Sequence, residues 1–430
     1  MASIKSKKNK MAARKRAASY TREKREKSKA IVSTRTVSTT RKMTDEELIK
    51  KARNSKYKSR INDNIKANSK KNYMDYNFLF IMFFLICFGL IMLYSTSYYT
   101  GLNKFNDPMF YMKKQLRSII LGFILMFFVA KMNYKSLRRW AFPLFCISTF
   151  LCLLVHVPKI GIERNGSKRW IGFGSFTIQP SEIAKVCVII WMAYFLERTA
   201  KEAKDLVYIM KALIPLAIVS VELTSSNLST AIIVVGIAMI MIFVVIKRVK
   251  PYFEACGLLL ILGIVGIKLQ SYRGGRIRAW LSPEKAAGPV GEQTLQGLYA
   301  ICSGGFLGKG LGKSMQKMGR LPEAQNDMIF SIICEELGIF GAICLLLLFV
   351  LLIWRMMIIA NNAPDMFGTL IVVGVMAHIS LQVVLNVAVV TKMIPNTGVT
   401  LPFVSYGGTS IIILIAEMGL VLSVSRGIKF

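Results

Sequence analysis

Residues 328–354 read MIFSIICEELGIFGAICLLLLFVLLIW, a run whose only charges are Glu335 and Glu336. An α-helix needs about 20 apolar residues to cross a bilayer, so this run is long enough to span. Immediately upstream, residues 271–327 are polar and basic. They carry Arg273, Arg276, Arg278, Lys285, Lys309, Lys313, Lys317 and Arg320, and close on Pro-Glu-Ala-Gln-Asn-Asp. The junction between the two fixes the reading of the chain as a membrane protein with a large charged loop beside one span.

Working outward, apolar runs recur at about 77–97, 115–132, 141–158, 180–196, 208–223, 228–247, 251–270, 367–392 and 406–425. With 328–354 they make ten. The expected fold is an all-α polytopic membrane protein of ten transmembrane helices, with residues 271–327 as the large extracellular loop between helices 7 and 8. An even count places both termini on one side. The loops 131–140, 197–205 and 247–250 and the Arg355 end then face the cytoplasm with the N-terminus, and most are rich in Lys or Arg as cytoplasmic loops are. Two outward loops break that bias, 159–179 and 271–327. A basic loop on the wrong side calls for an anionic ligand.

Composition agrees with this division. Of 430 residues, 53% are hydrophobic and the net charge is +34, with a mean hydropathy of +0.47. Residues 1–75 hold 24 Lys and Arg against 7 Asp and Glu, half of the net charge. This Ser/Lys-rich stretch reads as a disordered basic cytoplasmic tail, with a short helix around 44–52 where Thr44 and Glu47 match a capping box. Its partner is anionic membrane lipid, and no nucleic acid is expected. Residues 76–430 form the membrane domain. The first apolar run lies behind the tail, so no cleavable signal peptide is expected. The eight cysteines make no CxxC pair and no metal spacing with His156 or His378; no disulfide and no metal site are expected. Both histidines read as packed within apolar helices.

Ionisable residues at membrane depth are costly and mark sites. Glu182 and Lys185 lie three apart and read as a pair. Glu335 and Glu336 sit near the start of the eighth span, and one of them could hold loop backbone. Glu417 has no evident partner. Residues 394–410, IPNTGVTLPFVSYGGTS, combine prolines, glycines and hydroxyls; this is irregular backbone that must be buried in protein or line a wet cavity. Asp327 stands at the rim between loop and span. The residues alone leave two readings open for it, a helix N-cap or an acid–base group.

Three longer motifs break this tie: NGSKRWIGFGSFTIQPSEIAK at 165–185, LGKGLGKSMQKMGRLPEAQNDMIFSIICEELG at 307–338, and NTGVTLPFVSYGGTS at 396–410. Together they resemble the SEDS family (shape, elongation, division and sporulation) of peptidoglycan glycosyltransferases, over the chain from about Tyr76 onward. Gly398-Val399-Thr400-Leu401-Pro402 is similar to the FtsW/SpoVE branch. The resemblance implies lipid II polymerisation into glycan strands at the outer face of the bacterial cytoplasmic membrane, for septal wall synthesis, with Asp327 catalytic. It implies substrate-binding roles for Arg164, Lys168, Arg169, Arg273, Arg276, Lys313, Arg320, Glu335, Glu336 and Ser405. Implied partners are lipid II, the undecaprenyl-pyrophosphate-linked glycan, a class B penicillin-binding protein and other divisome proteins. No cofactor is required, though a divalent cation could assist. The chain departs from the family at Gln325-Asn326, where relatives have His-Thr, and at Ser226-Asn227, where they often have Pro-Asp. A lipid II flippase is the alternative. The Gly-rich run 304–312 lacks a P-loop signature and is not read as a nucleotide site.

Overall fold

In a computed structural model, the described residues are 74–428, apart from 158–159, 165–166, 174–175, 227, 269–270 and 285–288. The basic tail and its expected helix at 44–52 lie outside that set. The described residues belong to one compact unit, Asn72–Phe430.

Each expected apolar run is a helix: α1 Tyr76–Phe105, α2 Phe110–Lys131, α3 Leu137–Leu154, α4 Pro180–Thr199, α5 Leu206–Ser226, α6 Leu228–Val245, α7 Val249–Lys268, α10 Ile329–Asn361, α11 Met366–Val390 and α12 Gly408–Ser425. Among the described residues, seven are long and apolar enough to cross a membrane, which makes this a multi-pass membrane protein. The remaining three, α2, α4 and α7, carry Lys or Glu within their first six residues.

The charged loop is not simply irregular. It contains α8 Ser271–Leu281 and α9 Pro289–Gly304, followed by a turn-rich stretch to Met328. The all-α expectation also needs correction. Residues 161–178 form a three-stranded antiparallel sheet, β1 Gly161–Arg164, β2 Ser167–Phe173 and β3 Phe176–Ile178. Strands this short, interrupted by glycines, leave little alternation for sequence reasoning to find.

Helices α4, α6, α11 and α12 supply much of the buried core, including Ala184, Val188, Val234, Ile237, Ile371, Val375 and Ile415. Two networks of ionisable side chains are buried on α4, α11 and α12. Lys185 Nζ lies 2.8 Å from Glu182 Oε1, the pair read from sequence, and Ser410 donates to the other Glu182 oxygen. Glu417 does have a partner, His378 Nδ1 at 2.9 Å, so His378 is more than packing.

Helix α10 contains one break. Gly338 has φ +69°, and a Cβ there would lie 2.3 Å from the Phe306 carbonyl oxygen, so glycine satisfies both the left-handed backbone and the close approach. Loop carbonyls enter the gap: Ile339 N–H donates to Gly305 O and Phe340 N–H to Phe306 O.

Candidate active site

Asp327 sits one residue before the N-cap of α10. That cap is Met328, and no side chain hydrogen-bonds to the free N–H groups there. The helix-cap reading of Asp327 is therefore not what the chain adopts. Its Oδ1 instead accepts from Gln293 Nε2 on α9 at 3.2 Å. Gln293 in turn accepts from Asn396 Nδ2 at 2.8 Å, and Arg276 on α8 donates to the Asn396 carbonyl at 3.3 Å. The loop helices and the 394–410 segment thus converge on one carboxylate.

The 394–410 segment is irregular as expected up to Gly407, with Val399 and Leu401–Ser405 buried, and side chains from the bundle satisfy its backbone. Asn386 Nδ2 donates to both the Asp327 and Val399 carbonyls, at 2.8 and 2.7 Å. Gln382 donates to Thr400 O, Ser229 to Thr397 O, and Tyr406 N–H to Gln325 O. A lone Asn or Gln within an apolar helix is costly unless paired, and that was the available signal for Asn386 and Gln382. Gln293 and Asn396 had no such signal, since each lies in polar sequence.

Burial pushes the Asp327 carboxyl up to about 7, assisted by the nearby negative Glu323 and opposed by Gln293 and Arg276. Glu323 adopts φ +53° in a turn closed by Asn326 and does not stand one helical turn before Asp327. A half-buried carboxylate that titrates near neutrality can accept a proton from a weak nucleophile.

Three of the expected substrate-binding residues are engaged by the protein itself. Glu335 and Glu336 are both 0% exposed. Glu335 receives Lys309 Nζ at 2.7 Å, the Ser314 hydroxyl, and the Met315 and Gln316 N–H groups. Glu336 receives Lys317 Nζ at 2.6 Å, Ser95 Oγ and the Ser314 N–H. Every partner belongs to the protein, so the two clamp the loop onto α10 and α1. Ser405 is likewise committed; its hydroxyl accepts from Leu401 N–H and its carbonyl from Gln115.

Among the basic residues whose side chains are described, Arg276 is tied to the Asp327 network. Lys313 and Arg320 are exposed on the turn-rich stretch. Arg169 lines a different small cavity with Cys152, Ser181 and Glu222. The side chains of Arg164, Lys168 and Arg273 lie outside the described set; their backbones place them on β1, β2 and the first turn of α8. All eight cysteines are free thiols, and among the described residues no three His, Cys, Asp or Glu gather as a metal site.

Comparison with known proteins agrees with this architecture. Residues 76–429 match the family described as FtsW/RodA/SpoVE, cell cycle protein. Stage V sporulation protein E of Bacillus subtilis is 41% identical over 364 residues, covering 83% of this chain and 98% of that protein. A probable peptidoglycan glycosyltransferase FtsW of Geobacter sp. is 37% identical over 348 residues, covering 80% and 95%. Among solved structures, a chain from work on the coordination of polymerization and crosslinking by a peptidoglycan synthase complex aligns with a TM-score of 0.66 at 27% identity. It covers 82% of this chain and 98% of that one. The rod shape determining protein RodA of Thermus thermophilus aligns at a TM-score of 0.60 and 26% identity, covering 82% and 97%. With a family match over most of its length and relatives above one-third identity, this chain belongs to the FtsW/RodA/SpoVE, or SEDS, family.

Proposed function

We propose that this protein is a peptidoglycan glycosyltransferase of the septal or sporulation type, polymerising lipid II at the outer face of the bacterial cytoplasmic membrane. In this reading the ten expected helices all span, both termini are cytoplasmic, and residues 271–327 lie outside. The observation that carries it is Asp327: half-buried, not spent on capping, poised near neutrality, and set where the basic loop meets the 394–410 segment.

The step is a single displacement. The 4-hydroxyl oxygen of an acceptor GlcNAc attacks the anomeric carbon of a lipid-linked MurNAc, and its proton passes to the Asp327 carboxylate. The anomeric C–O bond breaks with its electron pair going to undecaprenyl pyrophosphate, and configuration inverts. Arg276 is the cation best placed to steady the growing charge, with Arg273 and Arg320 on the same loop and Arg164 and Lys168 of the sheet as further candidates. A class B penicillin-binding protein is the expected partner. The match to a chain of a peptidoglycan synthase complex supports that pairing.

The buried Glu182–Lys185 and His378–Glu417 pairs keep a lipid II flippase as the second reading, because polar side chains continue into the bundle. One experiment separates the two. Purified protein with its cognate transpeptidase is given lipid II in liposomes, as wild type and as Asp327→Asn. Glycan strands from the wild type alone support the transferase. Equal polymer from both removes Asp327 from the chemistry, and lipid II transbilayer movement without polymer from either supports transport.

A further inference from the structure

Two side chains on one face of α8 donate to backbone carbonyls of the segment that follows α11. Arg276 Nη1 lies 3.3 Å from Asn396 O, and Trp280 Nε1, four residues on, lies 2.9 Å from Lys392 O. The way α11 ends presents the second of these carbonyls. Lys392 adopts φ +60°, its N–H donates to Val389 O at 3.0 Å, and the Met393 N–H donates to Ala388 O at 2.8 Å. This is the Schellman pattern, in which the residue just past the helix takes left-handed backbone and is usually glycine. Lysine tolerates that backbone less well, so an outside contact on the Lys392 carbonyl also steadies the turn.

The helix to which Trp280 ties α8 is the one that already holds Asp327. Asn386, six residues before Lys392 on α11, donates to the Asp327 carbonyl at 2.8 Å. The carboxylate and the helix bearing Arg276 are therefore both referenced to α11, from separate parts of the chain. Stabilisation of developing charge depends on such fixed placement, because a cation that must move into position loses much of its effect. A tryptophan near a membrane surface serves equally well as an interfacial anchor, with its N–H turned to headgroups. Here the half-buried indole spends that N–H on the chain instead.

We propose that Trp280 is a positioning residue, holding Arg276 in place beside the Asp327 network by hydrogen-bonding α8 to the end of α11. The roles of Arg276 and Asp327 rest on the glycosyltransferase reading above; the tether itself does not. Arg276 opposes the burial that raises the Asp327 carboxyl, so a loosened α8 should leave that carboxyl higher still.

The test replaces Trp280 in the full-length protein with benzothienylalanine, which keeps a bicyclic ring of similar shape and lacks the N–H. Trp280→Phe is the natural counterpart, and both retain an aromatic ring for the interface. Hydrogen exchange reads the tether without turnover. Amides of residues 276–281 should exchange about fivefold faster, the equivalent of one hydrogen bond of roughly 1 kcal/mol, with α10 unchanged. Unaltered exchange in α8 would overturn the tether whatever the activity. With the cognate transpeptidase in liposomes, lipid II polymerisation should slow by about two- to tenfold. Its pH limb near 7 should move upward, in the direction that Arg276→Gln moves it. In the Arg276→Gln background the replacement should change neither rate nor limb further. Additive losses there, or a slower rate with an unmoved limb, would make Trp280 structural only and overturn the positioning role. Wild-type protein that makes no polymer would remove the reaction and the positioning role together, while the exchange result would still decide the tether.

Discussion

Asp327 and the pair Glu335 and Glu336 lie within ten residues of one another, at the same end of α10, yet their surroundings differ in kind. The two glutamates are sealed from solvent and surrounded by donors, two lysines among them. Asp327 is half-buried, receives one side-chain hydrogen bond from a neutral amide, and faces a negative neighbour in Glu323. A carboxylate whose oxygens are all engaged by the protein has no capacity left for a substrate. One that is desolvated and underserved has its proton affinity raised and an oxygen to spare. Charge near an active site is therefore a poor guide to chemistry unless its partners are counted.

The comparison breaks most directly at Asp327. Asp327→Asn should lower lipid II polymerisation by about 10²- to 10⁴-fold, the range for loss of a general base, with the protein still folded and partner-bound. Glu336→Gln should act on the other side of the contrast. Leaving Lys317 buried without its counter-charge should cost roughly 3–5 kcal/mol, read as a fall in melting temperature, and adding Lys317→Met should recover part of it. If Glu336→Gln left stability untouched and abolished turnover, the clamp reading would fail.

Finer tests follow the proton. Asp327 must be ionised to act, so the polymerisation rate should climb with pH along a limb centred near 7. Gln293→Leu removes a donor that favours the charged form, so the limb should move upward by roughly one unit. Glu323→Gln should move it the other way, and by the larger step, because the negative neighbour raises the carboxyl more than the Gln293 donor lowers it. A limb that ignored both substitutions would mean that a different group governs the rate.

Much of this was legible in sequence. Apolar runs gave every long helix, since a membrane forces backbone pairing into helices and the required length is easily counted. The 394–410 segment declared itself through prolines and glycines at membrane depth. Asp327 was found by position, but its role rested on resemblance, because a carboxylate before a helix could equally have been a cap. Sequence did not reveal the partners. Lys309 and Lys317 reach Glu335 and Glu336 from 26 and 19 residues upstream along a path bent by glycines at 308, 310 and 312, all with positive φ. Gln293 and Asn396 are 103 residues apart and meet only once α9 and the 394–410 segment have packed. Such contacts are set by the tertiary fold, and neither residue type carries a local sign of them.

The break at Gly338 has a mechanical consequence. Each residue added to a continuous α-helix turns everything beyond it by about 100°, so the aim of a terminal side chain is normally hostage to the length of the whole rod. Here the rod is jointed, and the piece leading to Asp327 takes its bearing from the Lys309 and Gly310 N–H groups on the Glu335 and Glu336 carbonyls and from the lysine-held carboxylates of the same two residues. A residue gained or lost in the long piece beyond Gly338, which packs through Leu345, Phe349, Leu352 and Met356, would then leave the carboxylate's aim to the clamp.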